Sequence, residues 1–160
     1  MSAGASEATG MSAGASEATG MGEAIPQRPV PLLTELNRPY WTGGSDGTWR
    51  MQRCLGCERL VHPPALRCPH DHGVLEYATL SGRGRVETWT VNEHPFFPGF
   101  APPYLVAFVN PVEDSRVRVL TNIVNVRPED VTVGLPVRVT FERHTDGDDE
   151  VFIPLFEPDL

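Results

Sequence analysis

Three cysteines that lie within fifteen residues of one another constrain the fold of this chain more than any other feature. Cys54, Cys57 and Cys68 follow the pattern C-x2-C-x10-C. Two facing turns of this kind hold one zinc ion tetrahedrally, and such a site can replace a hydrophobic core that is too small to stand alone. The spacing therefore predicts a zinc ribbon with a structural zinc, and the alternative is a ribbon that has lost its metal.

The fourth zinc ligand does not follow directly from the spacing. A cysteine three residues after Cys68 would complete the site, but Asp71 occupies that position, between His70 and His72. Imidazole is a commoner ligand than carboxylate in structural zinc sites. The sequence therefore favours His72 as the fourth ligand, with Asp71 second and His70 third.

The first 28 residues are predicted to form a disordered leader, because the decapeptide MSAGASEATG occurs twice in succession. The repeat lacks the basic start and apolar centre of a secretory signal, and no apolar run approaches the roughly 20 residues that cross a bilayer. An odd number of cysteines in a metal-like spacing also disfavours a disulfide framework. These features predict a cytoplasmic protein with no membrane contact.

The charge balance opposes a nucleic-acid partner. The formal net charge is -8, and all 13 basic residues are arginine. A protein that binds nucleic acid normally presents a basic face, because the release of counterions supplies most of its non-specific affinity.

The segment 29–48 is predicted to contain a short helix. Its apolar residues have helical spacing, and glycines at 43, 44 and 47 end it before the ribbon, which is assigned to 49–76. The apolar face ends in Tyr40 and Trp41, so it must pack on the rest of the chain or on a partner.

From Leu75 onward the apolar residues alternate with a period of two, which is typical of strands. Five strands are predicted, at 86–91, 104–109, 116–119, 137–142 and 151–155. A helical turn at 127–131 lies between the third and fourth, and the acidic run 146–150 is predicted to be a hairpin loop. This order matches an OB barrel over 77–160, so the predicted fold is mainly β: a short helix, a rubredoxin-like ribbon and a five-stranded barrel.

An aromatic segment at 95–104 is the strongest candidate for a binding surface. Phe96, Phe97, Phe100 and Tyr104 are held there by four prolines, so the segment loses little entropy on docking. It contains no arginine, which favours a protein or acyl-chain surface over stacked bases. The alternative is that the segment folds back as a lid on its own barrel.

No catalytic residues are predicted. The glycines around Ser81 lack the strand–turn–helix context of a nucleophile elbow. Glu93 and His94 are neighbours on an extended segment, where adjacent side chains point to opposite faces, so they are poorly placed to act as a pair.

Taken in order, several short motifs resemble the DUF35 family across nearly everything after residue 28. They are Tyr40-Trp41, Arg53-Cys54-Leu55-Gly56-Cys57, His62-Pro63-Pro64, Arg67-Cys68-Pro69, Leu80-Ser81-Gly82-Arg83-Gly84-Arg85-Val86, Ala101-Pro102-Pro103-Tyr104, Gly134-Leu135-Pro136-Val137 and Pro154-Leu155-Phe156. The chain departs from the family at Asp71, where a fourth cysteine is frequent.

The resemblance implies a non-catalytic accessory subunit. Members of this family look like partners of thiolase-fold enzymes that make or break carbon–carbon bonds in acyl-CoA thioesters, and some travel with hydratases in steroid side-chain degradation. It implies a complex with two copies of each chain, acyl-CoA contact within that complex, and docking through Tyr40, Trp41 and the aromatic segment. The alternative function is a stand-alone OB module that binds single-stranded nucleic acid.

Overall fold

The computed structural model describes residues 28–98 and 100–160, so the predicted leader lies outside the described residues except for Arg28. Over these residues the chain forms one short α-helix, two 3-10 turns and eight strands. The prediction of a mainly β fold is confirmed. No helix among the described residues has the length and apolarity that a membrane crossing requires.

The N-terminal helix is shorter than predicted. It spans Arg38–Thr42 (α1) and passes directly into a 3-10 turn, Gly43–Asp46. Before it, the Asn37 side chain accepts a hydrogen bond from the Thr34 N–H at 2.8 Å and donates one to the Leu32 carbonyl at 3.0 Å. Such side chain to backbone bonds compete with helical ones, so the helix begins only after Asn37.

The ribbon region contains a three-stranded antiparallel sheet. Its strands are β1 (Trp49–Cys54), β2 (Leu60–Val61) and β3 (Leu75–Leu80), in the order β2-β1-β3. The alternation of β1 buries Trp49 and Met51, each 1% exposed, and the strand ends at Cys54. Cys54 pairs with Leu75, so the sheet carries the first cysteine turn at one end.

The rest of the chain forms a closed five-stranded barrel with the topology of an OB fold. Its strands are β4 (Arg83–Asn92), β5 (Tyr104–Pro111), β6 (Val119–Ile123), β7 (Pro136–Asp146) and β8 (Asp149–Pro158). The order is β4-β5-β6-β8-β7, and β6 and β8 run parallel. The predicted helical turn is present as a 3-10 turn at Pro128–Asp130, between β6 and β7.

The bounds of all five barrel strands differ from the prediction, most of all at the third strand and at the acidic hairpin. The third barrel strand begins at Val119, because the residues before it form a turn in which the Val117 N–H bonds to the Asp114 carbonyl. The acidic run forms a hairpin as predicted, but its loop contains only Gly147 and Asp148, because Asp146 pairs with Asp149 in the strand ladder. Gly147 takes φ 60° there, a conformation that suits a tight hairpin.

The ribbon and the barrel share one hydrophobic core. Trp49 of β1 packs edge-on against Phe156 of β8, with ring centroids 5.2 Å apart. Leu60 and Leu80 from the ribbon sheet belong to the same buried cluster as Phe156. The joint is also polar: the buried Asp114 carboxylate accepts a hydrogen bond from the Leu60 N–H at 3.1 Å. The barrel therefore fixes the position of the cysteine turns.

Candidate functional site

Two equivalent turns bring the cysteines together. In the first, the Glu58 N–H bonds to the Cys54 carbonyl at 3.0 Å, and the Cys54 N–H bonds to the Arg59 carbonyl. In the second, the His72 N–H bonds to the Cys68 carbonyl at 2.9 Å, and the Cys68 N–H bonds to the carbonyl of Gly73. The two turns thus have the same backbone hydrogen-bond pattern around their leading cysteines.

The leading sulfurs also receive matching backbone hydrogen bonds. The Gly56 N–H donates to the Cys54 Sγ at 3.3 Å, and the His70 N–H donates to the Cys68 Sγ at 3.4 Å. The two leading sulfurs therefore occupy matching positions in the two turns, each with one backbone donor.

Four side chains converge between the turns: Cys54, Cys57, Cys68 and Asp71, whose candidate ligand atoms all lie within 4.8 Å of one another. The Cys57 and Cys68 sulfurs are 3.6 Å apart, and the cysteines are free thiols. Zinc–sulfur bonds of about 2.3 Å at the tetrahedral angle separate two sulfurs by about 3.8 Å, which the observed distance fits. It is far longer than the S–S bond of about 2.05 Å in a disulfide.

The carboxylate lies at a compatible distance from the thiols. The Asp71 Oδ1 and Oδ2 atoms are 3.2 and 3.5 Å from the Cys54 Sγ. An oxygen and a sulfur that share one tetrahedral zinc are separated by about 3.5 Å. The donor set of three thiolates and one carboxylate therefore fits a structural zinc.

The structure places Asp71, rather than the favoured His72, beside the three cysteines. Asp71 stands three residues after Cys68, as Cys57 stands three residues after Cys54, and the turn directs this position towards the site. His72 follows with φ 58°, as Glu58 follows Cys57 with φ 60°. Neither His72 nor His70 joins the cluster of possible ligands found among the described residues. The backbone of the turn thus places the Asp71 side chain at the cluster, and the identity of the fourth zinc ligand stays a prediction.

Local hydrogen bonds keep the carboxylate ionised. The Gly73 N–H donates to Asp71 Oδ1 at 2.9 Å, and this bond, with the neighbouring Cys68 and Cys54 thiols, holds the pKa of the Asp71 carboxyl well below its usual value. Cys54 and Cys68 are almost completely buried, whereas Asp71 is exposed. The cluster is thus closed on the cysteine side and open to solvent on the carboxylate side.

Two glycines that the sequence reasoning did not identify leave room for the carboxylate. A Cβ atom on Gly56 would lie 2.6 Å from Asp71 Oδ2. One on Gly73 would lie 2.9 Å from both Asp71 Oδ1 and the Cys54 Sγ. Real Cβ atoms do not approach so closely, so a side chain at either position would force the Asp71 carboxylate, and at Gly73 also the Cys54 sulfur, to shift. The signal in the sequence was one glycine within the first turn and one directly after the second.

The aromatic residues that were predicted to bind a partner differ in how far they are buried. Tyr40 is 3% exposed and packs against Trp41 and His62, so it is a core residue, and its role in docking stays a prediction. Trp41 is half-buried and lines a surface cleft. The helical segment points its tyrosine inward because β1 and β8 lie directly beneath it.

The aromatic segment folds back over the barrel at its second half only. Phe100 meets Tyr104 edge-on, with centroids 4.5 Å apart, and the Arg28 guanidinium lies 4.4 Å from the Phe100 centroid. Phe96 and Phe97 remain 77% and 39% exposed. Phe100 therefore folds back on the barrel, as the alternative of a lid proposed, while Phe96 and Phe97 are exposed at the surface.

Arg28 links this segment to the barrel, a contact that no sequence pattern indicates. Its Nη2 donates to Asn122 Oδ1 at 2.6 Å, and its Nε lies 3.6 Å from Glu142 Oε1. Burial lowers the pKa of Arg28, while the charge of Glu142 raises it. The guanidinium and the Phe100 ring together form one wall of a cleft.

The fold and the four-residue cluster define a class: a rubredoxin-like zinc ribbon joined to an OB barrel. Comparison with known proteins agrees. The family described as "ChsH2, rubredoxin-like zinc ribbon domain" matches residues 41–76. The family described as "ChsH2, C-terminal OB-fold domain" matches residues 77–142.

Relatives extend the match over most of the chain. A DUF35 domain-containing scaffold protein of Methanocaldococcus jannaschii is 35% identical over 104 residues, which cover 62% of this chain and 72% of that protein. A chain of the solved "Ltp2-ChsH2(DUF35) aldolase" is 30% identical to this protein and superposes on it with a TM-score of 0.68. The match covers 82% of this chain and 100% of that chain. The chain belongs to the DUF35 family.

Two longer relatives carry this region as part of a larger subunit. A probable enoyl-CoA hydratase alpha subunit of Thermomonospora curvata is 33% identical over 82% of this chain. A 3-oxo-4,17-pregnadiene-20-carboxyl-CoA hydratase alpha subunit of Mycobacterium tuberculosis is 35% identical over 64% of it. The matched regions span only 40% and 32% of these two subunits.

Proposed function

We propose that this chain is a non-catalytic accessory subunit that binds and completes a thiolase-fold enzyme acting on an acyl-CoA thioester. The reaction would form or cleave a carbon–carbon bond, as in a thiolase or a retro-aldolase, and steroid side-chain degradation is one setting for it. One observation carries the proposal. The full length of a chain from a solved Ltp2-ChsH2(DUF35) aldolase is matched by the described part of this protein.

The site supports a structural role for the metal. Cys54, Cys57, Cys68 and Asp71 would hold one zinc ion, whose contribution is to tie the two turns together. Four protein ligands leave no open position for a substrate or an activated water, which catalytic zinc sites keep. The metal would therefore stabilise the ribbon rather than perform chemistry.

The surface supports a docking role for the aromatic residues. Phe96 and Phe97 are exposed in the aromatic segment, and Phe100, Tyr104 and Trp41 line the cleft beside it. Aromatic anchors of this kind dominate the binding energy of many interfaces. We propose that they contact the thiolase-fold partner in an assembly with two copies of each chain. Contact with acyl-CoA, and association with a hydratase, would occur only in that assembly.

The test is co-expression of this chain with the thiolase-fold enzyme encoded nearest to it, followed by size exclusion and an assay of acyl-CoA carbon–carbon cleavage. We expect one complex, and an enzyme that is inactive or insoluble without this chain. Replacing Phe97 by Ala should weaken the complex by about 2 kcal/mol if the ring fills a pocket. The matched control is Val133→Ala, at an apolar residue that is 73% exposed in the turn before β7. Separate elution with full enzyme activity would refute the accessory role.

A further inference from the structure

The outer face of β5 and β6 is unusual for a barrel surface. Along β5 the residues alternate, with Leu105, Ala107 and Val109 buried inside the barrel. The residues between them point outward, where polar side chains are expected, yet here they are apolar. Together with the exposed neighbour on β6 they form what we call the β5–β6 face: Tyr104, Val106, Phe108 and Leu120.

The neighbours of this face are neutral. Phe108 lies opposite Thr88 on β4 and Leu120 on β6, and Val106 lies opposite Thr90 and Asn122. Leu120 is 63% exposed. The side chains that cover the middle of the face from both adjacent strands are therefore threonine, asparagine and leucine.

Charged groups occur at the ends of the face, and they are already paired. Arg118 binds Glu87 at one end. Arg28 contacts Asn122 and Glu142 at the other end. Neither arginine presents an unpaired charge to a ligand on the face, since each has a carboxylate neighbour.

Two clefts join along this face. One, of about 290 Å³, is walled by Trp41, Phe100 and Tyr104. The other, of about 150 Å³, lies over Phe108 and has no charged side chain among the described residues that line it. Both clefts are lined by Val106 and Leu120, so they adjoin as one mainly apolar groove across the face, with Arg28 at the far end of the first cleft.

The position of the groove indicates a binding function. The second and third strands of an OB fold, with the loop between the first two strands, are the surface on which OB folds bind ligands. In this chain those strands are β5 and β6, and that loop is the aromatic segment. The groove therefore occupies the ligand-binding face of the fold, with apolar groups where a nucleic-acid binder has cations.

We infer that the β5–β6 face is the surface on which the thiolase-fold partner seats an uncharged, apolar segment. This inference deepens the proposed function and rests on it. Single-stranded nucleic acid does not suit a groove at which the described arginines, Arg28 and Arg118, each have a carboxylate partner. A second copy of this chain is also disfavoured, because two chains of formal charge -8 repel each other.

The test measures binding of the co-expressed thiolase-fold enzyme to Leu120→Glu and to Val133→Glu. Both substitutions add one negative charge at an exposed apolar residue, but only the first lies on the face. We expect Leu120→Glu to raise the dissociation constant at least about tenfold and Val133→Glu to leave it within about twofold. Leu120→Gln should have an intermediate effect, and thermal melts check that all three variants fold.

The outcomes separate this inference from the proposed function. If the wild-type chain binds the enzyme and Leu120→Glu binds equally well, the inference is wrong while the accessory role stands. If the wild-type chain does not bind the enzyme, both are wrong. Sedimentation of the chain alone, and titration with oligo-dT, test the other occupants. Self-association or oligonucleotide binding that Leu120→Glu abolishes would overturn the inference.

Discussion

At the scale of single residues, the geometry of a turn decides which side chain lies beside the cysteines. Asp71 and Cys57 occupy the same position in two turns with the same hydrogen bonds, and the next residues, His72 and Glu58, both take a positive φ. Neither His72 nor His70 lies among the clustered side chains, whatever the affinity of imidazole for zinc. Ranking candidate ligands by chemistry alone does not include this geometry, and the choice between Asp71 and His72 stays a prediction that metal analysis decides.

The geometry of the two turns predicts how zinc affinity responds to substitution. Asp71→Ala should weaken zinc binding by more than the roughly 10–100-fold that loss of an outer-shell partner costs, because it removes a ligand. His72→Ala is the matched control and should retain zinc, while Asp71→Cys should bind it at least as tightly as the wild type. Metal analysis and competition with a chromophoric chelator measure these affinities. Loss of zinc in His72→Ala, with retention in Asp71→Ala, would reverse the assignment.

The element scale shows where sequence patterns are informative. The period of two in residues such as Val137 and Val139 predicted the strands, because a half-buried strand must alternate. The apolar spacing around Leu32 predicted too long a helix, because it contains no information about the hydrogen bonds of Asn37. Likewise, the docking of Tyr40 into the core depends on elements distant in sequence, which no local pattern reveals.

The hydrogen bond from the Leu60 N–H to the Asp114 carboxylate joins the ribbon to the barrel. Asp114 is 7% exposed, accepts the Leu60 N–H of β2 and is bound by Arg116 at 2.6 and 2.9 Å. Asp114→Ala leaves the buried N–H without a partner, which should cost about 1–3 kcal/mol of unfolding free energy. Asp148→Ala, at an exposed hairpin residue, is the control and should cost almost nothing. Urea denaturation measures both.

The effect of Asp114→Ala should also depend on pH. The hydrogen bond from Arg116 lowers the pKa of the Asp114 carboxyl below its ordinary value, so the folded state binds this proton less readily than the unfolded state does. The stabilisation is then present above the unfolded pKa of about 3.9 and is lost as the pH falls through the folded value. The difference between wild type and Asp114→Ala should be full at pH 6 and shrink below about pH 4. A difference that grows in acid would contradict this assignment.

At the scale of the whole molecule, the ribbon and the barrel behave as one folding unit in this structure. Trp49 and Leu80 of the ribbon sheet lie in the same buried cluster as Val109 and Phe156 of the barrel. The cysteines form a second, smaller cluster with Val61. The sequence motifs place the boundary between ribbon and barrel at residue 76. They do not reveal that the largest hydrophobic core extends across this boundary.

Removal of the metal should therefore destabilise the barrel as well as the ribbon. Metal binding to the folded state adds directly to the free energy of unfolding, and a shared core transmits that loss to both regions. After chelation at neutral pH, the melting temperature should fall in a single transition. Tryptophan fluorescence, which includes Trp49 at the joint and Trp89 of β4, should give the same midpoint as far-ultraviolet circular dichroism of the whole barrel. The matched control is Asp71→Ala, which should melt near the chelated wild type and respond little to added chelator. A barrel transition that stays at the temperature of the zinc-loaded protein, while the fluorescence midpoint falls, would show that the two regions unfold independently.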